Sequence, residues 1–320
     1  MAMRPALETI KHLIPPLSPH LHKGQAGRIG VIGGSEDYTG APYFSGYSSL
    51  LLGSDMCHVI CDAGAAVPIK SYSPDLMVHP YLRKSKSSST QSISEIMDQV
   101  TPLLSRLHVL VVGPGLSRDD FMLECAKQII LKARERSMPI VIDADALCVI
   151  QKEPSVIQGY TNSVLTPNVN EFRRLCEALN VHDVDDQVQT PTAARRLSQA
   201  LGGVTILQKG PKDLITNGET VYICDVEGGL KRCGGQGDIL SGTVATFLAW
   251  GVGYQNNVWS HEDVVDVKNI PLLASYVGCC VTRDSSRRAY AKYHRSTTTK
   301  RILSYIQQSY EEQFEKSLTD

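Results

Sequence analysis

An α/β fold with a mostly parallel central sheet flanked by helices is the architecture this sequence predicts, on three observations. Short β-branched runs alternate with longer helical stretches, the pattern of strands covered by helices. Glycine turns follow four of those runs, as ligand loops do at the carboxyl edge of a parallel sheet. Hydrophobic residues make up 42% of the 320-residue chain, enough to bury a sizeable core. No internal repeat or composition break divides it, so residues 1–320 read as one domain with 1–20 as an N-terminal extension.

In chain order, the β-branched run at 28–32 predicts the first strand, and a helix follows at 43–52. Similar runs predict strands at 56–60, 109–112, 140–142, 164–165 and 204–208. Helical stretches separate the later ones, at 121–136, 170–179 and 190–201. Residues 214–216 and 220–224 flank Asn217-Gly218, a hairpin signal. Beyond residue 238 the chain reads as mostly helical, at 240–250, 271–293 and 300–315. The basic, serine-rich stretch 83–90 predicts a loop with solvated charges. Arg283, Arg287, Arg288 and Lys292 predict a solvated basic helical face.

A net charge of −1 gives no global electrostatic reason to expect nucleic acid or a membrane surface as partner. Nine cysteines, an odd number, do not look like a secreted disulfide framework. Cys57-x-x-x-Cys61 lacks a second pair at zinc spacing and predicts buried small residues. No apolar run approaches the roughly 18 residues of a membrane span, and the N-terminus lacks a signal-peptide hydrophobic region. These features together predict a soluble, cytoplasmic protein with reduced thiols.

The most informative stretch is Gly234-Gly235-Gln236-Gly237-Asp238-Ile239-Leu240-Ser241-Gly242. Glycines let backbone N–H groups approach an anion, and a helix start adds partial positive charge. A carboxylate placed there sits where a phosphoryl group would pass to a hydroxyl. Gly228-Gly229 lie just upstream. Lys209-Gly210-Pro211-Lys212-Asp213 follows a strand and sets two lysines around a glycine turn, which suits a polyphosphate. Two further turns, Gly33-Gly34-Ser35 and Gly113-Pro114-Gly115, fit a ligand site and a plain structural turn equally.

Asp143 and Asp145 follow the strand at 140–142 and stand at the carboxyl edge, where Asp145 fits a helix cap as well as a site role. Asn168 and Glu171, in Asn168-Val169-Asn170-Glu171, offer hard oxygens suited to Mg²⁺ through water. They equally fit an N-cap and its capping-box partner.

Taken together, residues 234–242, Asn168–Glu171 and the late helices resemble the ribokinase-like superfamily, whose fold is a three-layer sandwich. Within it the chain resembles the ATP-dependent NAD(P)H-hydrate dehydratases. The narrower likeness is carried by 30–35, Tyr38-Thr39-Gly40-Ala41-Pro42, 70–80, 113–116, 143–147, 166–172 and 209–213, and it runs from about 20 to 310.

The resemblance implies that Lys209, Gly210, Pro211, Lys212 and Asp213 line ATP. So do Gly228, Gly229, Leu230, Lys231, Arg232, Cys233, Gly234, Gly235, Gln236 and Gly237. Ala41, Gly115, Asn168, Val169, Asn170, Glu171, Phe172, Arg173, Arg174 and Asp238 would touch the hydrated nicotinamide dinucleotide, NADHX or NADPHX. It further implies Mg²⁺ as cofactor and a separate epimerase as functional partner, and it is compatible with a homo-oligomer. Asp238 is the expected catalytic base, kept ionised by its helix N-terminus. A small-alcohol kinase of the hydroxymethylpyrimidine or sugar type, and a non-catalytic nucleotide sensor, are the alternatives on the same fold.

Overall fold

The computed structural model describes residues 4–85, 91–181, 190–262 and 264–315. The predicted loop 83–90 and the extension 1–20 fall partly outside them, at 86–90 and 1–3. Among the described residues nine strands form one sheet: β1 (Arg28–Ile32), β2 (Met56–Asp62), β3 (Leu76–Leu82), β4 (Val109–Val112), β5 (Ile140–Ile142), β6 (Ser163–Leu165), β7 (Thr205–Gln208), β8 (Asp213–Thr216) and β9 (Val221–Cys224). Their order is β3-β2-β1-β4-β5-β6-β7-β8-β9. Neighbours from β3 to β7 are parallel, while β8 and β9 add an antiparallel hairpin.

The strand period of two divides each central strand between two cores. Val31, Val109, Val111, Val141 and Val164 point to one side. Ile32, Leu110, Val112, Ile140, Ile142 and Leu165 point to the other. The first core is covered by helices Gly40–Leu52, Gln236–Gln255 and Ile270–Tyr293. The second is covered by Ile93–Leu104, Asp120–Glu135, Val169–Ala178 and Pro191–Ala200. The result is the three-layer arrangement the sequence predicts, with both faces of the parallel sheet buried.

Helix Gln236–Gln255 is apolar all round, with fifteen of its 20 residues buried. It lies close to helix Gly40–Leu52 at Gly242, where an added Cβ would stand 2.0 Å from the Ser45 carbonyl oxygen. Asp238 is thus mounted on a core element.

Several elements differ from expectation. Strand β3 was not anticipated because Pro80 interrupts its apolar run; as the outermost strand, it tolerates a residue with no N–H to donate. Helix Ala63–Tyr72 contains Pro68 and starts with Asp62 accepting from the Gly64 N–H. Helix Ile93–Leu104 starts with a Ser92–Glu95 capping box. The N-terminal stretch is docked on the first core: Ile10 and Leu13 are fully buried, and Arg4 pairs with Asp225 at 2.6 Å. The final helix is broken into Thr299–Leu303, Ile306–Tyr310 and a π-turn at Glu311–Glu315. Cys57 and Cys61 are buried, and loss of hydration pushes both thiols up to about 12. Among the described residues no helix is long and apolar enough to cross a membrane.

Candidate active site

A cavity of about 850 Å³ opens where β5, β6 and β7 end. Asp143, Asn168–Glu171 and, from the loop after β7, Lys209, Gly210, Pro211 and Asp213 follow those strands and line it. The glycine loop supplies Gly228, Arg232, Cys233, Gly235, Gln236 and Gly237, and Asp238 closes it from the first turn of its helix. Residues that look scattered in sequence meet here because parallel strands deliver their carboxyl ends to one edge.

Asp143 is 1% exposed and accepts from Thr166 Oγ1 at 2.7 Å and from Lys209 Nζ at 2.9 Å. Burial works against the charge on Lys209, but Asp143, Glu171 and Asp238 hold its pKa above the ordinary value. Burial also raises the pKa of Glu171, with Lys209 opposing. Gly237 lies against this cation: a Cβ there would stand 3.3 Å from Lys209 Nζ.

Asp238 departs from the expectation that its helix N-terminus keeps it ionised. Burial, then the neighbouring Asp143, push its pKa to about 8, with Lys209 pulling the other way and Asp145 adding a smaller push. Loss of hydration and repulsion between carboxylates outweigh the helix dipole here.

Asn168 Oδ1 accepts from the N–H groups of Asn170 and Glu171, both at 3.0 Å, while Glu171 Oε2 accepts from the Asn168 N–H at 2.8 Å. Of the two roles open in sequence, the capping box is therefore formed, with both residues still on the cavity wall. Asp145 does not cap its own helix. Its Oδ2 accepts from the Ser117 N–H at 3.0 Å, tying the 113–117 turn to the end of β5.

The glycine loop is held from behind by the late helices. Gly235 adopts φ +96° as it enters the helix, a conformation that favours glycine. Thr299 Oγ1 donates to the Gly234 carbonyl. Gln236 Nε2 donates to Lys231 O at 3.2 Å and Ser286 Oγ at 3.1 Å, and Arg232 Nη1 donates to Gly229 O at 3.1 Å.

Some expected residues stand elsewhere. Phe172 is fully buried in the second core, so its side chain is withdrawn from any ligand; an apolar residue one turn into an amphipathic helix faces the sheet. Arg173 and Arg174 are exposed and off the cavity wall, as are Lys212, Leu230 and Lys231. Gly229 and Gly234 do not line it either. Ala41 and Gly115 lie beside each other, near the switch in strand order between β1 and β4, and outside the lining.

Sequence reasoning missed Thr282, Arg283 and Ser286, which line the cavity from helix Ile270–Tyr293. Arg283 was expected to be solvated. It is instead a buried ion-pair partner of Asp213, with Nε at 2.6 Å from Oδ2. Arg287 and Arg288 both pair with Asp284 one turn back, and Arg288 also reaches Glu312.

Over residues 29–308 the chain matches the family described as NAD(P)H-hydrate dehydratase. A Schizosaccharomyces pombe protein named ATP-dependent (S)-NAD(P)H-hydrate dehydratase is 46% identical over 305 residues, covering 95% of this chain and 91% of that one. Two solved structures share the fold. A ribokinase-like superfamily protein from Enterococcus faecalis superposes with TM-score 0.72 at 20% identity, over 97% of this chain and 95% of that one. An ADP/ATP-dependent NAD(P)H-hydrate dehydratase from Bacillus subtilis, co-crystallised with ATP and Mg²⁺, gives 0.67 at 19% identity, over 97% and 98%. Matched along nearly its whole length and sharing this architecture, the chain belongs to the NAD(P)H-hydrate dehydratase family.

Proposed function

We propose that this chain is an ATP-dependent dehydratase that returns the S forms of NADHX and NADPHX to NADH and NADPH, releasing ADP and phosphate. The observation that carries the proposal is Asp238, set on the cavity wall at the start of a core helix, beside the glycine loop and Lys209.

The hydrated ring carries a hydroxyl on carbon 6, and restoring the ring means expelling that oxygen. Hydroxide leaves poorly, since water has a pKa of about 15.7. Phosphate leaves far better, its second pKa being about 6. Asp238, in its ionised form, takes the hydroxyl proton as the oxygen bonds to the γ-phosphorus of ATP and the bond to ADP breaks. The ring nitrogen lone pair then drives cleavage of the carbon–oxygen bond, and phosphate departs with the electron pair. The departing phosphate takes a proton from carbon 5, which completes the double bond.

Phosphoryl transfer depends chiefly on positioning and charge. Backbone N–H groups at Gly235–Gly237 are placed to receive the transferring oxygens, the kind of donor whose removal costs roughly 3–4 kcal/mol. Lys209 is placed to follow the phosphate charge. Asn168–Glu171 contribute the polar wall against the dinucleotide, and Ala41 and Gly115 mark where the rest of that substrate extends.

Among the described residues no group of three or more His, Cys, Asp or Glu is arranged to hold a metal ion by itself. Asn168 commits its only side-chain oxygen to the capping box, so Glu171, with its second carboxyl oxygen outside the box, is the residue that suits a metal held through water and by the phosphates. When bound there, Mg²⁺ would neutralise triphosphate charge. Chelating it with EDTA is expected to lower turnover at least about a hundredfold, with recovery on adding Mg²⁺ back.

Nine cysteines without a disulfide suit a reducing cytoplasm, and a separate epimerase would feed the S form to the site. The decisive test is regain of dihydronicotinamide absorbance from hydrated NADH with and without ATP. A stable phosphoester in place of restored NADH would mark a small-alcohol kinase instead.

A further inference from the structure

The basic end of helix Ile270–Tyr293 carries three arginines with different partners. Arg287 and Arg288 bind Asp284 of their own helix, a local arrangement. Arg283 reaches 70 residues back in sequence, to Asp213. Its Nε donates to Asp213 Oδ2 at 2.6 Å and its Nη2 to Asp213 Oδ1 at 2.9 Å. The same Nη2 donates to the Gly210 carbonyl at 2.6 Å, and Nη1 to the Val226 carbonyl at 3.2 Å.

These bonds engage four of the five N–H donors a guanidinium has. Asp213 is the other hub: its Oδ1 also accepts from the Gly210 N–H at 3.0 Å. The side chains of Arg283 and Asp213 are 14% and 8% exposed, so water screens the pair little. Gly228 rests against the arginine, a Cβ there lying 3.9 Å from Cγ. One side chain thus joins the Lys209–Asp213 loop, the backbone leaving β9 and the cavity-facing side of a long helix.

We propose that Arg283 is a positioning residue for the nucleotide: by fixing the 209–213 loop and the 226–228 backbone to the helix, it sets how tightly the triphosphate is held. The inference rests on the reading that these two loops hold ATP. None of Arg283's hydrogen bonds or ion pairs reaches Asp238, Asp143 or Glu171, so its removal loosens the donor side of the cavity and leaves the chemistry in place. Lysine does not replace it, because an ammonium is a point donor and cannot present the planar fork that binds a carboxylate and a carbonyl together.

The test measures the ATP dissociation constant and the kinetic constants of wild type, Arg283→Met, Arg283→Lys and Lys209→Ala, with melting temperatures alongside. Both Arg283 variants are expected to bind ATP at least about tenfold more weakly and to show a matching rise in the KM for ATP. Turnover at saturating ATP and the KM for hydrated NADH should stay within about threefold of wild type. A merely structural role would lower the melting temperature and active fraction without changing the KM for ATP. If Arg283→Met fails to fold, Arg283→Lys decides.

Folded Arg283 variants that bind ATP like wild type would overturn the inference, as would a fall in turnover at unchanged KM for ATP. If ATP binding weakens in Lys209→Ala but not in the Arg283 variants, this inference alone fails. Wild-type protein that binds no ATP would sink the reading of the loops themselves.

Discussion

Two buried ion pairs flank the cavity, and their charge balance differs. Arg283 shares its charge with one carboxylate, Asp213, and the pair closes on itself through short bonds. Lys209 faces three carboxyl groups, pairing with Asp143 at 2.9 Å while Glu171 and Asp238 act on it as well. The balanced pair behaves as a fastener. The unbalanced cluster carries more negative charge than one cation can offset, and Asp238 responds by keeping its proton up to about pH 8. A surplus of carboxylate around one lysine suits a site that must accept a proton and accommodate added positive charge.

Removing the Asp238 carboxylate breaks this comparison most severely. Asp238→Asn is expected to lower kcat by about 10²–10⁴-fold, with ATP affinity, measured by titration, near that of wild type. Turnover within tenfold of wild type would remove Asp238 from the mechanism. The same substitution should also raise Tm at pH 7 and above. An aspartate whose pKa is raised on folding binds more protons folded than unfolded, so stability falls as pH rises from its unfolded value through about 8, and asparagine escapes this loss.

The pH profile sharpens the comparison. With ionised Asp238 acting as the proposed base, kcat/KM for the hydrated dinucleotide should fall about tenfold per pH unit below about pH 8. Asp143→Asn removes the neighbouring negative charge and should move that limb to lower pH. A limb that stays in place would show that Asp143 does not act on Asp238.

The smallest expected difference is in stability. Asp213→Asn leaves Arg283 buried with half its carboxylate gone and should cost about 3 kcal/mol in urea unfolding. Asp143→Asn should cost roughly half as much, because Lys209 keeps Glu171 and Asp238 as partners. Equal losses would mean that the two pairs are not built differently.

The fold was legible where one physical signal dominated. Val109–Val112 and Ile140–Ile142 are short β-branched runs buried on both faces, and their bounds match the expectation. Strand β3 was hidden because a proline is evidence against a strand until its place at the sheet edge is known. Helix Ile93–Leu104 had a readable start, since Ser92 and Glu95 stand at capping-box spacing, but that signal is short and local.

In the site, Asp238 and the glycine loop were readable because turn chemistry and a helix start lie within a few residues. Arg283 was not, since its partner is far off in sequence and a basic helical face looks the same whether or not a carboxylate waits across the fold. The raised pKa of Asp238 was also beyond a sequence reading. It depends on Asp143 arriving from another strand and on burial, neither of which the helix N-terminus reveals.

Helix Gln236–Gln255 makes one consequence for motion concrete. Its Asp238 end is part of the site, yet most of its length is interior and meets helix Gly40–Leu52 too closely at Gly242 to slide. Adjustment around substrates therefore falls to the cavity segments off this helix, 209–213 and 228–234, within the limits that Arg283 and Thr299 set by holding them. Amide hydrogen exchange would register this as near-global protection along 239–254 with or without ATP, and slowing on ATP binding confined to the two loops.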